Sequence, residues 1–450
     1  MTFSEARVFY RFLDSVYKHG NRVFLSHNGF NATYNDVYKM VSSRPFLLSS
    51  PPREVLSSPN SIDFVVRMLT AFRDRRTFIP LSSPHHLHCP LHDPIPKGFQ
   101  GDLSMILYTT GTTSQPKGVL LSEENLYANL DMLDRHVSED VISRWDHSVA
   151  FLPWSHCYGL VCELLFLMIR GARVVISQPK DAWRDIRKHS PTLLFTVPKV
   201  LQRFRELSDN RLWMIPRRFR TRLLFGKNLR YLSVGGARAV PSLLSFYHQE
   251  MDIPVLQGYG MTEASPMIAL NRPETSQDYE TCGYVLPGVD VKISPNTGTL
   301  MVRGQNITQG YLGMDNTIER PTNRFEGEWF LTDDVMEIES NGRLVFRTRW
   351  NDRVKMPNGK FIDLGNLEKT LEDMVFIRQA VAEVHPEQGL IVSVYLDPLV
   401  GIAYTTKHLH SLMIHHLQRK GFQSYELPRR VLRRFEPFRD MTLKMEPKRK

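Results

Sequence analysis

The chain has 450 residues, more than one ordinary core holds, so two or three domains are expected. Hydrophobic residues make up 42% and charged residues 23%, a soluble globular balance, and no apolar run reaches the roughly eighteen residues that span a bilayer. The formal charge is +10 and uneven: Arg211 to Arg230 holds six arginines, one lysine and no acid, and Tyr425 to Lys450 holds nine basic and four acidic residues. Such patches suit nucleic acid, acidic lipid headgroups, a phosphorylated cofactor or an acidic carrier protein, or they serve solubility alone. No nucleic-acid-binding module is recognisable, so no specific nucleic-acid partner is expected, and a basic nucleic-acid-binding protein is the third and weakest reading.

The first segment, MTFSEARVFYRFLDSVYKHG, has charges at helical spacing and no apolar signal core, so an intracellular, cytoplasmic protein is expected. Cys89, Cys157, Cys162 and Cys282 form no C-x-x-C pair, which fits a reducing compartment. His85, His86, His88, Cys89 and His92 crowd together at spacings that match no metal-site type, and read as a solvated loop. The stretch YTTGTTSQPKGVLLS, Tyr108 to Ser122, surrounds one lysine with hydroxyls and two glycines. It reads either as a phosphate cradle or as a surface Ser/Thr turn. It is not the common nucleotide loop G-x-x-x-x-G-K-[ST], because Pro116 follows Gly111 at the second glycine's place.

Beyond it, the apolar runs VAFLPW, ARVVIS, TLLFTVP, RYLSVGG and IPVLQGYG alternate with helix-like stretches, PKVLQRFRELSDNRLW and PSLLSFYHQEM among them. This alternation predicts α/β architecture with parallel sheets covered on both faces. After about Cys282 the texture changes to short strands and polar turns, with hairpin signals at Asn341-Gly342 and Asn358-Gly359. An α+β pattern runs from about Leu364 to the end, and a boundary is expected near Thr348–Asp352.

Several of these segments, in this order, resemble motifs of the adenylate-forming (AMP-binding) superfamily: acyl-CoA synthetases, luciferases and peptide-synthetase adenylation domains. YTTGTTSQPKGV is similar to its signature loop, LPWSHCYG to its acyl-site motif, and SVGGARAVP and QGYGMTEASP to its adenine- and phosphate-binding segments. GTLMVRGQNITQGYLG and WFLTDDVMEIESNGRLVFRTRWNDRVKMPNGKFID resemble its ribose and hinge region, and RDMTLKMEPKRK the segment with its catalytic lysine. LPWSHCYG and MPNGKFI are most similar to the fatty acyl-CoA and acyl-[acyl-carrier-protein] synthetase branch. Pro153-Trp154 stand where amino-acid-activating members place an aspartate, which argues against an amino-acid substrate.

The resemblance implies a large N-terminal domain over residues 1–350, with parallel sheets layered with helices and a distorted β-barrel-like subdomain. It implies a small mobile α+β C-terminal domain over 351–450, on a hinge at Asn351 and Asp352. The implied reaction joins a medium- or long-chain fatty acid to AMP at the expense of ATP, then transfers the acyl group to a thiol of CoA or of an acyl carrier protein's phosphopantetheine. Thr109, Thr110, Gly111, Thr112 and Thr113 would hold the β- and γ-phosphates, with Lys117 ordering the loop or balancing the leaving pyrophosphate. Glu263 would hold Mg²⁺, and Thr262 would bond a phosphate oxygen. Tyr259, between Gly258 and Gly260, would lie against the adenine, with Gly235, Gly236 and Ala237 as a close backbone wall. Asp334 would accept both ribose hydroxyls, and Arg349 would add a second ribose contact. Lys444 would bridge the attacking carboxylate and the α-phosphate. Trp154, His156 and Tyr158 would sit at the acyl channel.

The chain departs from the family pattern at Ser114 and Thr348, both usually glycine, and at Asp333, which turns the usual T-G-D into T-D-D. The stretch from Asn31 to Asn60 is compressed relative to the family's first subdomain. These departures motivate an alternative: a catalytically impaired homologue that binds nucleotide or acyl group and acts through protein contacts. The basic C-terminal stretch suits the acidic helix of a carrier protein and the phosphates of CoA alike, and leaves room for peripheral membrane contact.

Overall fold

The computed structural model describes residues 7–46, 53–82, 96, 98–109, 117–211, 214–272, 279–313, 316–350, 353–355, 361–385, 389–397 and 404–435. The chain forms two compact units. The first comprises Met1–Lys292, Met301–Leu331 and Ile338–Val345, and the second Ile293–Leu300, Thr332–Glu337 and Phe346–Lys450.

Two sheets organise the first unit. The larger has nine strands, ordered Tyr284–Val285, Met267–Leu270, Val255–Gly260, Tyr231–Val234, Leu193–Thr196, His147–Ala150, Arg173–Ile176, Val23–His27 and Phe30–Thr33. Its central strands, from Val255–Gly260 across to Val23–His27, pair in parallel. Each is a short apolar run bounded by turn residues, as the alternation predicts; Leu193–Thr196 is buried at every position, as a strand covered on both faces must be. The six-stranded sheet runs Ile318–Glu319, Tyr311–Leu312, Lys117–Ser122, Leu103–Thr109, Thr77–Leu81 and Arg53–Ser57. Helix starts follow local capping chemistry. Thr33 caps Tyr34–Ser42 reciprocally with Asp36, and Ser122 caps Glu123–His136 reciprocally with Asn125. PKVLQRFRELSDNRLW forms the helix Pro198–Arg211, and PSLLSFYHQEM forms Pro241–Ser245, which continues as a π-helical turn over Phe246–Glu250.

In the second unit, Ile377–His385, Gly389–Leu396 and Arg430–Arg434 make a three-stranded sheet, packed by the helices Leu364–Glu372 and Thr406–Arg419. Leu367, Leu371, Val392, Leu409 and Met413 lie at the centre of its core. The strands Arg353–Lys355 and Phe361–Asp363 pair antiparallel; Asn358-Gly359 between them lies outside the described residues. Asp290–Ile293, Thr299–Arg303, Trp329–Ile338, Phe325–Glu326 and Leu344–Arg349 form a five-stranded sheet. The hairpin turn expected at Asn341-Gly342 is found, with Gly342 at a φ of 83°. No helix among the described residues is long and apolar enough to cross a membrane. The apolar stretch GLVCELLFLMI, which starts at Gly159 and is interrupted by Glu163, lies in the π-helix Tyr158–Leu165 and the helix Phe166–Ile169, buried on the nine-stranded sheet.

Candidate active site

Parallel strands deliver the segments that follow them to one edge of a sheet, and open α/β sheets place ligands at that carboxyl edge. In the first unit three candidate segments leave parallel strands in this way. LPWSHCYG follows His147–Ala150, Gly235–Ala237 follows Tyr231–Val234, and Gly258–Gly260 ends the neighbouring Val255–Gly260. Two of the glycines are required by close approach. A Cβ on Gly260 would stand 2.0 Å from the Pro266 carbonyl oxygen, and one on Gly235 would stand 2.6 Å from the Tyr158 ring. Tyr259 is half-buried and pairs with Ala269 across the strands. Gly236, at a φ of 78°, and Ala237 are exposed.

The turn carrying Thr262 and Glu263 is held by amide side chains. Asn306 Nδ2 donates to the carbonyls of Ala264 (2.9 Å) and Met267 (3.2 Å). Asn129 donates to the Met267 carbonyl and accepts from its N–H. The Thr308 N–H donates to the Glu263 carbonyl at 2.8 Å. This fixed backbone presents the Glu263 carboxylate, half-buried, to the Tyr311 hydroxyl, which donates to its Oε1 at 2.8 Å. Lys117 Nζ lies over the same tyrosine, 5.6 Å from the ring centroid. The juxtaposition follows from strand pairing, since Leu312 lies opposite Gly118 and Tyr311 opposite Val119. Tyr311 thus links the cation of the hydroxyl-rich loop to the MTEA carboxylate. Sequence reasoning quoted its motif, QGYLG, without singling it out; the missing signal was the pairing of that short strand with Lys117–Ser122.

Thr109 faces Lys117 across the same hairpin, and its hydroxyl reaches the Lys117 carbonyl at 3.5 Å. Thr110, Gly111, Thr112 and Thr113 lie outside the described residues, as do Ser114, the hinge pair Asn351 and Asp352, Lys444, and the histidine-rich stretch at 85–92. Among the described residues no group of three or more His, Cys, Asp or Glu side chains converges as a metal cage. The donor set at this turn, one carboxylate beside a threonine hydroxyl, fits a hard cation whose remaining ligands come from phosphate and water.

The acyl-site motif meets this turn directly: Cys157 Sγ lies 3.3 Å from Thr262 Oγ1. Tyr158 is buried and its hydroxyl is 2.9 Å from that of Ser233; burial pushes its phenol well above the usual range. His156 is half-buried. Trp154 is fully buried, its ring against Phe64 and its backbone N–H on Asn60. Its indole packs beneath the motif against the helix Ile62–Arg73, which carries Phe64. Further along the chain, Glu163 is fully buried, and among the described residues neither carboxyl oxygen has a partner at hydrogen-bond geometry. Burial pushes its carboxyl up to about 8, with the nearby Ser148 hydroxyl offsetting part of the shift.

In the second unit Asp334 is buried and accepts from Arg349 Nε at 3.3 Å, while Arg349 is 59% exposed. Thr332 Oγ1 donates to the Leu300 carbonyl and accepts from the Asp334 N–H, fixing the strand at that point. Thr332 and Asp334 are buried and Asp333 is not, so pleat alternation turns Asp333 to the opposite face from Asp334.

The description "AMP-binding enzyme" matches residues 82–312, more than half of the chain. The chain belongs to the AMP-binding enzyme family. Among solved structures, ATP-bound MatB from Rhodopseudomonas palustris superposes with a TM-score of 0.78 at 20% identity, covering 97% of this chain and 96% of that one. O-succinylbenzoate coenzyme A synthetase from Bacillus subtilis, in complex with AMP, gives 0.75 at 18% identity with the same coverage. These likenesses establish the adenylate-forming fold. In sequence, the chain is 27% identical over 375 residues to the palmitoyl-CoA ligase FUM16 of Gibberella moniliformis, covering 71% of this chain and 53% of that protein. It is also 27% identical over 318 residues to long-chain-fatty-acid–CoA ligase 1 of Schizosaccharomyces pombe, covering 59% and 46%. The chain spans about half the length of these family members.

Proposed function

We propose that this family member activates a medium- or long-chain fatty acid with ATP and passes the acyl group to a thiol, CoA or the phosphopantetheine of an acyl carrier protein. In the first half the fatty carboxylate attacks the α-phosphorus of ATP and pyrophosphate leaves, forming the acyl-adenylate. In the second the thiol displaces AMP. Two anions meet in the first half, so fixed donors and positive charge are needed where negative charge gathers.

One observation carries the reading: Lys117, Tyr311, Glu263, Thr262 and Cys157 form a connected chain of contacts between the hydroxyl-rich loop, the MTEA turn and the acyl-site motif. Glu263 would hold Mg²⁺, which supplies Lewis-acid charge to the triphosphate. Thr262 and the residues Thr109 to Thr113 would donate to phosphate oxygens, Tyr259 would support the adenine, and Asp334 with Arg349 would take the ribose. His156 and Tyr158 would border the acyl chain. Lys444, on a domain from 351 to 450 turning about Asn351 and Asp352, would clamp the carboxylate and α-phosphate in the first half only. The fatty-acyl ligases among the relatives support a lipid acid as substrate.

Exchange of labelled pyrophosphate into ATP, driven by fatty acids of graded length, tests the reading. Chain-length-dependent exchange is expected. ATP binding without any exchange would favour the alternative of an impaired homologue acting through protein contacts, to which Asp333 and Ser114 point. Lys444→Ala is expected to abolish exchange while a premade acyl-adenylate is still converted to thioester. Survival of both halves would remove Lys444 from this role.

A further inference from the structure

Between Arg211 and Arg230, Arg230 pairs with Asp146 and Arg220 Nε donates to the Ile215 carbonyl, whereas Arg222 and Lys227 are exposed. The helix Arg217–Phe225 buries Leu224 and Phe225 against the first unit. Its other face is unusual for a surface helix. Phe219 (41% exposed) and Leu223 (36% exposed), four residues apart, share that face, and Met214 just before the helix is 78% exposed. Exposed cations lie on the same helix, just beyond it and on the helix packed against it. Arg222 and Lys227 are exposed, and the helix packs on Ala182–His189, where Arg187 and Lys188 are exposed as well. The two acids at the start of that neighbouring helix, Asp181 and Asp185, are both taken by Arg184.

Interleaved methionine, leucine, phenylalanine and cations select one kind of partner. A nucleic acid would use the cations and the ring but has no use for exposed Met214 and Leu223. A carrier protein's acidic helix would leave all three apolar side chains in water. An anionic bilayer takes both: headgroup phosphates meet the cations, and the apolar tips enter the acyl boundary below them. We infer that Met214 and the helix Arg217–Phe225, with the adjoining Arg187 and Lys188, form a docking surface for an anionic lipid bilayer. The inference stands apart from the nucleotide-binding residues and holds whether or not the chain is a ligase. For a ligase of lipid acids it would bring the enzyme to the phase in which its substrate is dissolved.

The test is co-sedimentation of the full chain with vesicles of phosphatidylcholine alone and of phosphatidylcholine mixed with phosphatidylglycerol. Binding to the mixed vesicles, weakened by salt, is expected, because each cation near an anionic leaflet adds about fivefold to partitioning over a short screening length. Phe219→Ser with Leu223→Ser is expected to lower the partition coefficient at least tenfold at unchanged net charge. Arg222→Glu with Lys188→Glu is expected to abolish binding. Arg222 and Lys188 are exposed, so the melt of the charge variant should match that of the unmodified chain, and the apolar variant, whose side chains are more than half covered, is compared below its own melting temperature. If the apolar variant sediments like the unmodified chain, the surface is a general polyanion patch and the inference fails. It also fails if reversing Arg429 and Arg430 removes binding while the helix variants retain it, because the lipid contact then lies in the basic C-terminal stretch. No sedimentation with mixed vesicles at low salt overturns it outright.

Discussion

The turn around Glu263 and the pair Asp334–Arg349 contrast in how they are held. Three backbone carbonyls and one backbone N–H in or beside the first are tied by Asn129, Asn306 and Thr308, and its carboxylate is oriented by Tyr311. In the second, the Thr332 hydroxyl fixes the Asp334 backbone, and the carboxylate meets a largely exposed guanidinium at 3.3 Å. The difference follows the work each would do. A group that meets charge developing in a transition state gains from being fixed beforehand, whereas a contact to a ribose, present equally before and after reaction, tolerates adjustment.

The comparison can be broken at four points. Glu263→Ala is expected to cut pyrophosphate exchange about a hundredfold or more and to remove its Mg²⁺ dependence, since a metal clamp is worth several kcal/mol. Unchanged exchange would take Glu263 out of the site. Glu163 sharpens the contrast, because it is a fully buried carboxyl close to the acyl-site motif with only the Ser148 hydroxyl nearby to offset its burial among the described residues. Its folded pKa, about 8, lies above the ordinary 4.5, so the stability it permits is complete below pH 4.5 and is lost as pH rises toward 8. Between pH 5 and 7 the unmodified chain should lose about 3 kcal/mol that Glu163→Gln does not lose, read from urea midpoints. Parallel pH profiles would contradict this. Tyr311→Phe removes one hydrogen bond to a charged acceptor and should lower exchange about tenfold, with the Kd for ATP moving less. Arg349→Met should raise the KM for ATP only about threefold, because an exposed, screened cation contributes little. A larger loss at Arg349 than at Tyr311 would invert the contrast.

Much of this was legible in the chain itself. The parallel sheet follows from short β-rich runs such as TLLFTVP and RYLSVGG, and the turn at Asn341-Gly342 from a dipeptide that few other structures accept. The family motifs named Glu263 and Lys117 because local sequence carries them. Tyr311 was not legible in that way, since its role depends on a two-residue strand pairing with a segment far away in sequence. The packing of Trp154 was equally hidden: Phe64 and Asn60, about ninety residues earlier, meet its ring and its backbone N–H. Asp333 reads as excess charge beside a polyphosphate, and only the pleat of Trp329–Ile338 turns it from the face of Asp334.

The most direct measurement is a crystal structure of the protein with AMP. The adenine is expected against Tyr259, with both ribose hydroxyls within hydrogen-bond distance of the Asp334 carboxylate. AMP bound elsewhere, with Tyr259 and Asp334 both out of reach, would contradict the proposal that these segments form one nucleotide site.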